Sequence, residues 1–380
     1  MPLQEDNRAK AIRAELVDRE SRSTYLADVL FEDVTKQMNG PVFQIPEVDD
    51  TFTPEDALDS DFEDQDLTVQ TIAHSATDLI YDQARALARE IPTFDGLFTF
   101  GKEGQFIDLI TPKVLKRIKN DRDDRDFAYL LENPAWDTAG TYHINTSLGA
   151  ISRELMGELM ANMKDTDGVD LSDLRMAFNP WATESIKLLP SWERSMDGRD
   201  RDSLGVKHIG DYGGVPTYES RSVPSTYTVA CTGVTVSGGN AVFDVPAANR
   251  PHGLVPGLPV WSAETSGGTG WDNAAGDDIP ESTPIAIGSV SASQITVPYA
   301  GSGATDASAN ITLTVNGCPN ILIRKDMLFQ ATQKNRFRLR LIPYGRERFT
   351  DVLQVGQLWG RQALTGSVYV IWTPRSVATA

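Results

Sequence analysis

The side chains able to do chemistry in this 380-residue chain are few and scattered. Its four histidines, His74, His143, His208 and His252, include no pair spaced to share a metal on one helix face, and Cys231 and Cys318 form no zinc-type cluster with them. No Gly-Lys-Ser/Thr phosphate loop and no Gly-x-Ser-x-Gly nucleophile elbow is present. The glycine-rich Ser266-Gly-Gly-Thr-Gly270 lacks the preceding strand and following helix that a phosphate site uses. Carboxylates are plentiful: Glu47 to Asp66 holds ten acids and no base, among them Asp49, Asp50, Glu55, Asp56, Asp59, Asp61, Glu63 and Asp64. A general acid or base needs a buried carboxyl with a perturbed pKa and an opposing partner, and an exposed acidic run supplies neither. Its spacing is not that of an EF-hand either. The expectation is a protein with no catalytic residue, no cofactor and no metal. The two cysteines bracket a distinctive segment and would be neighbours if its ends leave the parent domain side by side; in a reducing cytosol they are expected to be two reduced, buried apolar residues.

What remains is the chemistry of charge pairing. Arg336, Arg338 and Arg340 alternate with Phe337, Leu339 and Leu341 over Asn335 to Ile342, the period of a strand. Three cations on one strand face repel one another unless carboxylates or phosphates stand opposite. Because the chain also carries the acidic run, the favoured partner is the acidic loop or arm of a neighbouring copy, with nucleic acid and a solvated edge strand as alternatives. The charge is partitioned accordingly. The net charge is -18; residues 1–70 hold 18 acids and 6 bases, residues 225–317 hold 7 acids and Arg250 alone as a base, and residues 319–380 hold 10 bases and 3 acids. Unlike blocks steer docking between copies and like blocks forbid wrong registers. The mean charge itself predicts no tight nucleic-acid binder.

Several elements must position these groups. The first forty residues read as a helical arm, with Ala9, Ile12, Leu16, Leu26, Val29, Leu30 and Val34 as a thin apolar stripe that gains order only by packing on something else. Pro41 to Pro46 reads as extended, and the acidic run as a projecting loop or hairpin. Helices are expected over Ser75 to Ile91, from Thr111-Pro112 onward, and over about Thr146 to Met163. The second is read as amphipathic at its ends and solvated in the middle, across Asp121 to Asp126. Leu174 to Phe178 reads as a strand, Asn179-Pro180-Trp181 as a helix start, and Tyr212 to Ser220 as extended. Residues 225–317, rich in Gly, Ser, Thr and Val and without lysine, carry short alternating runs that predict a small antiparallel barrel or sandwich. A last strand is expected over Ser367 to Trp372. No apolar run is long enough to span a membrane, and Met1 to Lys10 has no signal-peptide core.

The order of these pieces resembles the major capsid proteins of tailed bacteriophages, whose fold is shared with encapsulin shells and the floor of herpesvirus capsids. Pro41-Val-Phe-Gln-Ile-Pro-Glu-Val48 with its acidic continuation looks like that family's arm and projecting loop, and the helix after Thr111 like its spine helix. Ile151 to Met163, Leu171-Ser-Asp-Leu-Arg-Met-Ala-Phe-Asn-Pro180, Ile209-Gly-Asp-Tyr-Gly-Gly-Val-Pro-Thr-Tyr-Glu-Ser220 and Val223-Pro224 are similar in order to its following helix and axial-domain entry. The 225–317 segment is similar to the subgroup carrying an extra β-barrel there, and Asn320-Ile-Leu-Ile-Arg-Lys-Asp326 to Thr332 with Asp351 to Trp372 look like returning axial strands.

The resemblance implies an α+β capsid fold, divided as arm 1–40, projecting loop region 41–105, peripheral domain with spine helix 106–172, axial domain 173–224 and 318–380, and inserted barrel 225–317. It implies a non-enzymatic subunit that assembles into hexamers and pentamers of an icosahedral head made in the host cytoplasm. Its partners would be copies of itself, scaffolding, portal and decoration proteins, and packaged double-stranded DNA in weak non-specific contact, with no membrane. Two alternatives stand beside it: an encapsulin-like shell with protein cargo, and a carbohydrate binder using Trp261 and Trp271.

Overall fold

The structure, a computed structural model, describes residues 26–38, 42–48, 74–92, 103–133, 135–167, 171–189, 192–194, 206–266, 284–299, 310–332, 338–343, 350–364 and 366–376. In chain order, helix α1 (Leu26–Leu30) and strand β1 (Glu32–Asp33) precede a hairpin of β2 (Val42–Val48) and β3 (His74–Ile80), and then β4 (Gln83–Pro92). Helix α2 (Glu103–Glu132) leads to β5 (His143–Ile144), α3 (Arg153–Asp167), β6 (Leu174–Phe178), α4 (Pro180–Ile186), β7 (Trp192–Arg194), β8 (Val206–Tyr212) and β9 (Val215–Ser220). The inserted segment contributes β10 (Tyr227–Cys231), β11 (Val234–Ser237), β12 (Asn240–Asp244), β13 (Pro259–Ser266), β14 (Ile285–Ala286), β15 (Ser289–Val290), β16 (Gln294–Pro298) and β17 (Asn310–Val315). The last described strands are β18 (Gly317–Arg324), β19 (Leu328–Thr332), β20 (Arg338–Pro343), β21 (Thr350–Ala363) and β22 (Val368–Pro374).

A seven-stranded mixed sheet, ordered β5-β22-β18-β6-β9-β8-β7, forms one body. Its central strands are apolar on both faces, as a sheet covered on both sides requires. Met176, Leu322, Tyr369 and Ile371 point to one side, where Met156, Leu159 and Met163 of α3 and Ala182 and Ile186 of α4 cover them. The alternate residues Ala177, Ile321, Ile323, Val370 and Trp372 point to the other, into a core shared with α2 and the insertion. Helix α4 starts where the sequence signals it: the Asn179 side chain accepts from the Trp181 N–H at 2.9 Å, with Pro180 at the first helical position. Asn320, fully buried, accepts from the Asn179 N–H at 2.8 Å and donates to Cys318 O and Thr373 Oγ1, which locks β18, β22 and α4 together.

The inserted strands form two four-stranded antiparallel sheets, β10-β17-β13-β14 and β11-β12-β16-β15. Val229, Val260, Leu313 and Val315 of one sheet and Ala241, Phe243, Ile295 and Val297 of the other fill the same core as Phe127, Leu130 and Leu131 of α2. The insertion is thus built onto the long helix. Its two ends do leave side by side, Tyr227 opposite Val315, yet the thiols part: Cys231 faces Ile311 and Cys318 faces Thr373. Both are free and buried, and burial pushes Cys231 up to about 12 and Cys318 to about 11.

Five sequence expectations are corrected. Ser75 to Ile91 is no helix but parts of β3 and β4. The helix-favouring Ala, Leu and Arg of Gln83 to Arg89 are overridden by pairing with β21 at every position from Gln83↔Trp359 to Pro92↔Thr350. The long helix begins at Glu103, and Thr111-Pro112 lies inside it; proline removes one intrahelical bond there, and the face carrying Val114, Ile118 and Phe127 is buried enough to offset that loss. The helix expected from Thr146 begins only at Arg153. The Asn145 side chain closes a loop, accepting from Gly149 N–H and donating to Gly149 O and Trp372 O, with Asn145 and Leu148 at φ 58° and 56°; Ser152 Oγ then caps Leu155 N–H. The middle of α2 is buried, as set out below. Of the first forty residues, 1–25 lie outside the described residues, and the rest is no continuous helix: Leu26–Leu30 is helical, with Leu26, Ala27, Leu30 and Phe31 buried against α2, but Glu32–Asp33 pairs with β19 as a strand and Val34 packs under the hairpin.

Candidate assembly interface

A second sheet positions the residues picked out for charge pairing. Strand β21 is its centre, with β4 along one edge and β19 and β20 in series along the other, and β1 pairs in parallel with β19. Asn335 to Ile342 is described from Arg338 onward. Arg338 stands opposite Gly356 and Arg340 opposite Gln354, both on the face of β20 that excludes Leu339 and Leu341. On that face the next strand offers Ala86 beside Gly356 and Ala88 beside Gln354. Arg338 and Arg340 thus occupy alternate register positions of β20, opposite Gly356 and Gln354 of β21; Arg336 lies outside the described residues.

The acidic candidates Asp49, Asp50, Glu55, Asp56, Asp59, Asp61, Glu63 and Asp64 also lie outside the described residues. Their attachment is described. Strands β2 and β3 pair from Val42↔Ile80 to Val48↔His74, so residues 49–73 connect the far end of a hairpin. One face of its root, Ile45 and Leu79 with Phe43, packs on Val34, Met38 and Ala331. At the crossing of β3 and β21, a Cβ on Gly360 would run into the carbonyl oxygen of Ile80, a backbone atom rather than the end of a flexible side chain. Gly360→Ala is expected to destabilise the chain by about 1–3 kcal/mol and to loosen the hairpin root, read as a lower urea midpoint and faster proteolytic cleavage within residues 49–73.

The second sheet and α1 are tied to the long helix by a polar cluster in the middle of α2, where a solvated stretch was expected. Arg122, Asp123 and Asp126 are 1–2% exposed. Arg122 Nε donates to Asp126 Oδ2 at 3.4 Å and its Nη2 to Gln330 Oε1 at 2.8 Å on β19, while its guanidinium lies 5.3 Å from the Trp359 ring centroid. Asp126 Oδ1 accepts from Trp359 Nε1 at 3.1 Å and from Arg361 Nη1, both on β21. Asp123 Oδ1 accepts the Leu26 N–H at 2.9 Å, tying down α1. Burial raises the Asp123 carboxyl to about 8 and lowers the Lys119 ammonium, so desolvation draws this i,i+4 pair toward its uncharged forms. The signal was in the spacing. Lys119, Arg122, Asp123 and Asp126 continue the three-and-four rhythm of Val114, Ile118, Phe127 and Leu130, and so lie on the buried face of the helix.

The histidines are dispersed. His143 is buried against Trp372, His208 Nε2 lies 3.1 Å from Asp211 Oδ1, and His252 Nε2 bonds Ser291 O at 2.9 Å; the side chain of His74 is outside the described residues. Among the described residues no group of three or more His, Cys, Asp or Glu side chains could hold a metal ion, and no helix is long and apolar enough to cross a membrane. Trp261, a carbohydrate-stacking candidate, is partly buried on β13 opposite Thr314, and Trp271 lies outside the described residues.

No family model and no curated protein matches the chain. Among solved structures it is similar to the capsid of Ralstonia phage GP4, at 8% identity over 92% of this chain and 91% of that one, with a TM-score of 0.49. It is similar to the capsid structure of Staphylococcus phage Andhra at 11% identity, 92% and 84% coverage and a TM-score of 0.47. The holo-SrpI encapsulin complex from Synechococcus elongatus PCC 7942 shows 10% identity, 88% and 82% coverage and a TM-score of 0.44.

Proposed function

We propose that the chain is a structural shell subunit, the major capsid protein of a tailed phage, which assembles into hexamers and pentamers of an icosahedral head around double-stranded DNA. The observation that carries this reading is the placement of two charge blocks in the sequence, an acidic run joining β2 to β3 and arginines at alternate positions of β20. The strands β2 and β3 are joined by a 25-residue connection, 49–73 (73 - 49 + 1), with nine acids and no Lys or Arg, and β20 of the second sheet carries Arg338 and Arg340 at alternate positions. Such a subunit is complementary to its own copy by a head-to-tail contact, the kind that closes into rings when the rotation allows. An acidic container also leaves packaged DNA free to move, because it makes few counterion-releasing phosphate contacts. The subunit then works through many weak, registered interfaces, without a substrate.

The test is charge reversal. Arg338→Glu with Arg340→Glu is expected to abolish high-mass assemblies in sedimentation, since like-charge juxtaposition costs several kcal/mol per interface, while the circular dichroism of the subunit stays unchanged. Adding Asp61→Lys, Glu63→Lys and Asp64→Lys is expected to restore assembly. Unchanged assembly in the doubly reversed protein would count against the contact.

A further inference from the structure

The insertion meets the end of α2 through one hydroxyl group placed between two acceptors. Tyr227 Oη lies 3.1 Å from Glu132 Oε1 and 3.0 Å from the carbonyl oxygen of His252. A phenol has one hydrogen and cannot donate to both. If Glu132 is ionised, one acceptor must go without, and the tyrosine oxygen is held against it. If Glu132 is protonated, its O–H donates to Tyr227 Oη, the tyrosine donates to His252 O, and every group is satisfied.

We propose that a proton on Glu132 locks the two-sheet insertion to the long helix, making this junction a pH-sensitive latch. The surroundings favour the protonated acid. Glu132 is the last residue of α2, whose last turn has no basic side chain, so it sits at the negative end of the helix dipole. Burial raises its carboxyl, opposed by the Tyr227 hydrogen bond and by Arg361 of β21, the charged group facing it from the sheet. Tyr227 itself packs edge-on against Trp372, whose indole N–H is engaged by His143, and burial beside Glu132 keeps the phenol protonated. The loop carrying His252 runs close against the phenol: a Cβ on Gly253 would come 2.6 Å from Tyr227 Oη, at a backbone φ of +69°. Tyr227 opens β10 directly opposite the last residue of β17, so the latch lies at the root where the insertion leaves and returns.

The sign follows from the raised carboxyl. A group whose folded pKa lies above its unfolded value stabilises most below the unfolded pKa, and that contribution is lost as pH rises through the folded one. The experiment is hydrogen exchange of the full-length chain and its Glu132→Gln variant, following amides of residues 227–231 and 252–255 between pH 5 and pH 8 with intrinsic rates divided out. The amide of Glu132→Gln donates to Tyr227 at every pH. The wild-type chain is expected to lose roughly fivefold in protection at these amides on going to pH 8, the worth of one hydrogen bond, and Glu132→Gln to lose none. Tyr227→Phe, which removes the shared hydrogen, is expected to show lower protection and the same flat profile. Equal pH slopes in wild type and Glu132→Gln would overturn the proposal. Other titrating groups, His143 among them, are present in both proteins and cancel in the comparison, and the readout does not depend on assembly.

Discussion

Asp126→Ala is expected to destabilise the subunit by about 3–5 kcal/mol, the cost of leaving a buried charge without its partner. Asp126 neutralises two guanidinium groups at once, Arg122 from one turn earlier on α2 and Arg361 from β21, and also accepts from the Trp359 indole. Arg122 is 1% exposed and has no route to solvent, whereas the Arg361 side chain is 10% exposed and can shift outward. Most of the cost therefore falls on Arg122. A domain's total stability is about 5–15 kcal/mol, so the variant is expected to be largely insoluble at 37 °C, and a urea melt at low temperature would read the loss. Replacing both partners, Arg122→Met with Asp126→Leu, is expected to recover much of it, because a buried ion pair gains little over well-packed apolar groups. A single-variant loss below about 1 kcal/mol, the range of an exposed pair, would show that this cluster does not hold β19 and β21 to the helix.

Acid is expected to weaken the seven-stranded sheet through His143. Its Nδ1 accepts the Trp372 indole N–H at 2.9 Å and its Nε2–H donates to Ala135 O at 3.1 Å, which fixes the neutral tautomer. Burial lowers its pKa to about 4 from an ordinary 6.5. The unfolded chain thus takes up the proton first. The contribution of neutral His143 is complete above pH 6.5 and is lost as pH falls to about 4, a linkage of about 3 kcal/mol at 1.36 kcal/mol per pKa unit. Asp123, raised to about 8, works in the opposite direction over the same range, so the raw pH curve mixes the two. The difference in unfolding free energy between wild type and His143→Phe isolates the histidine. It should change by about 3 kcal/mol between pH 6.5 and pH 4, with the wild type losing more; a flat difference would remove His143 from the account.

These two residues also mark where the sequence was and was not legible. Wherever local pattern and tertiary demand agreed, the elements could be read directly: Leu174 to Phe178 with its Asn-Pro-Trp helix start, the alternating runs of the insertion, the alternating Arg338 to Ile342, and the closing strand at Val368. The reading failed where long-range pairing decided. Gln83 to Arg89 has helix-forming residues and becomes a strand because ten register positions of β21 await it. Asp121 to Asp126 reads as solvated because charge is the strongest local cue, yet helical spacing already set Arg122, Asp123 and Asp126 on the apolar face. Their partners, Leu26, Gln330, Trp359 and Arg361, are remote in the chain and invisible to local inspection. Of the charge-pairing candidates, the arginine alternation was legible as a strand face, and the acidic run could be placed only as the connection between two strands.

Electron microscopy of the purified full-length protein tests the central claim most directly. The wild-type chain is expected to form closed, uniform shells built of pentamers and hexamers, and the Arg338→Glu, Arg340→Glu protein none. A wild-type chain that stays a monodisperse monomer at every protein and salt concentration, with or without co-expressed scaffolding protein, would contradict it.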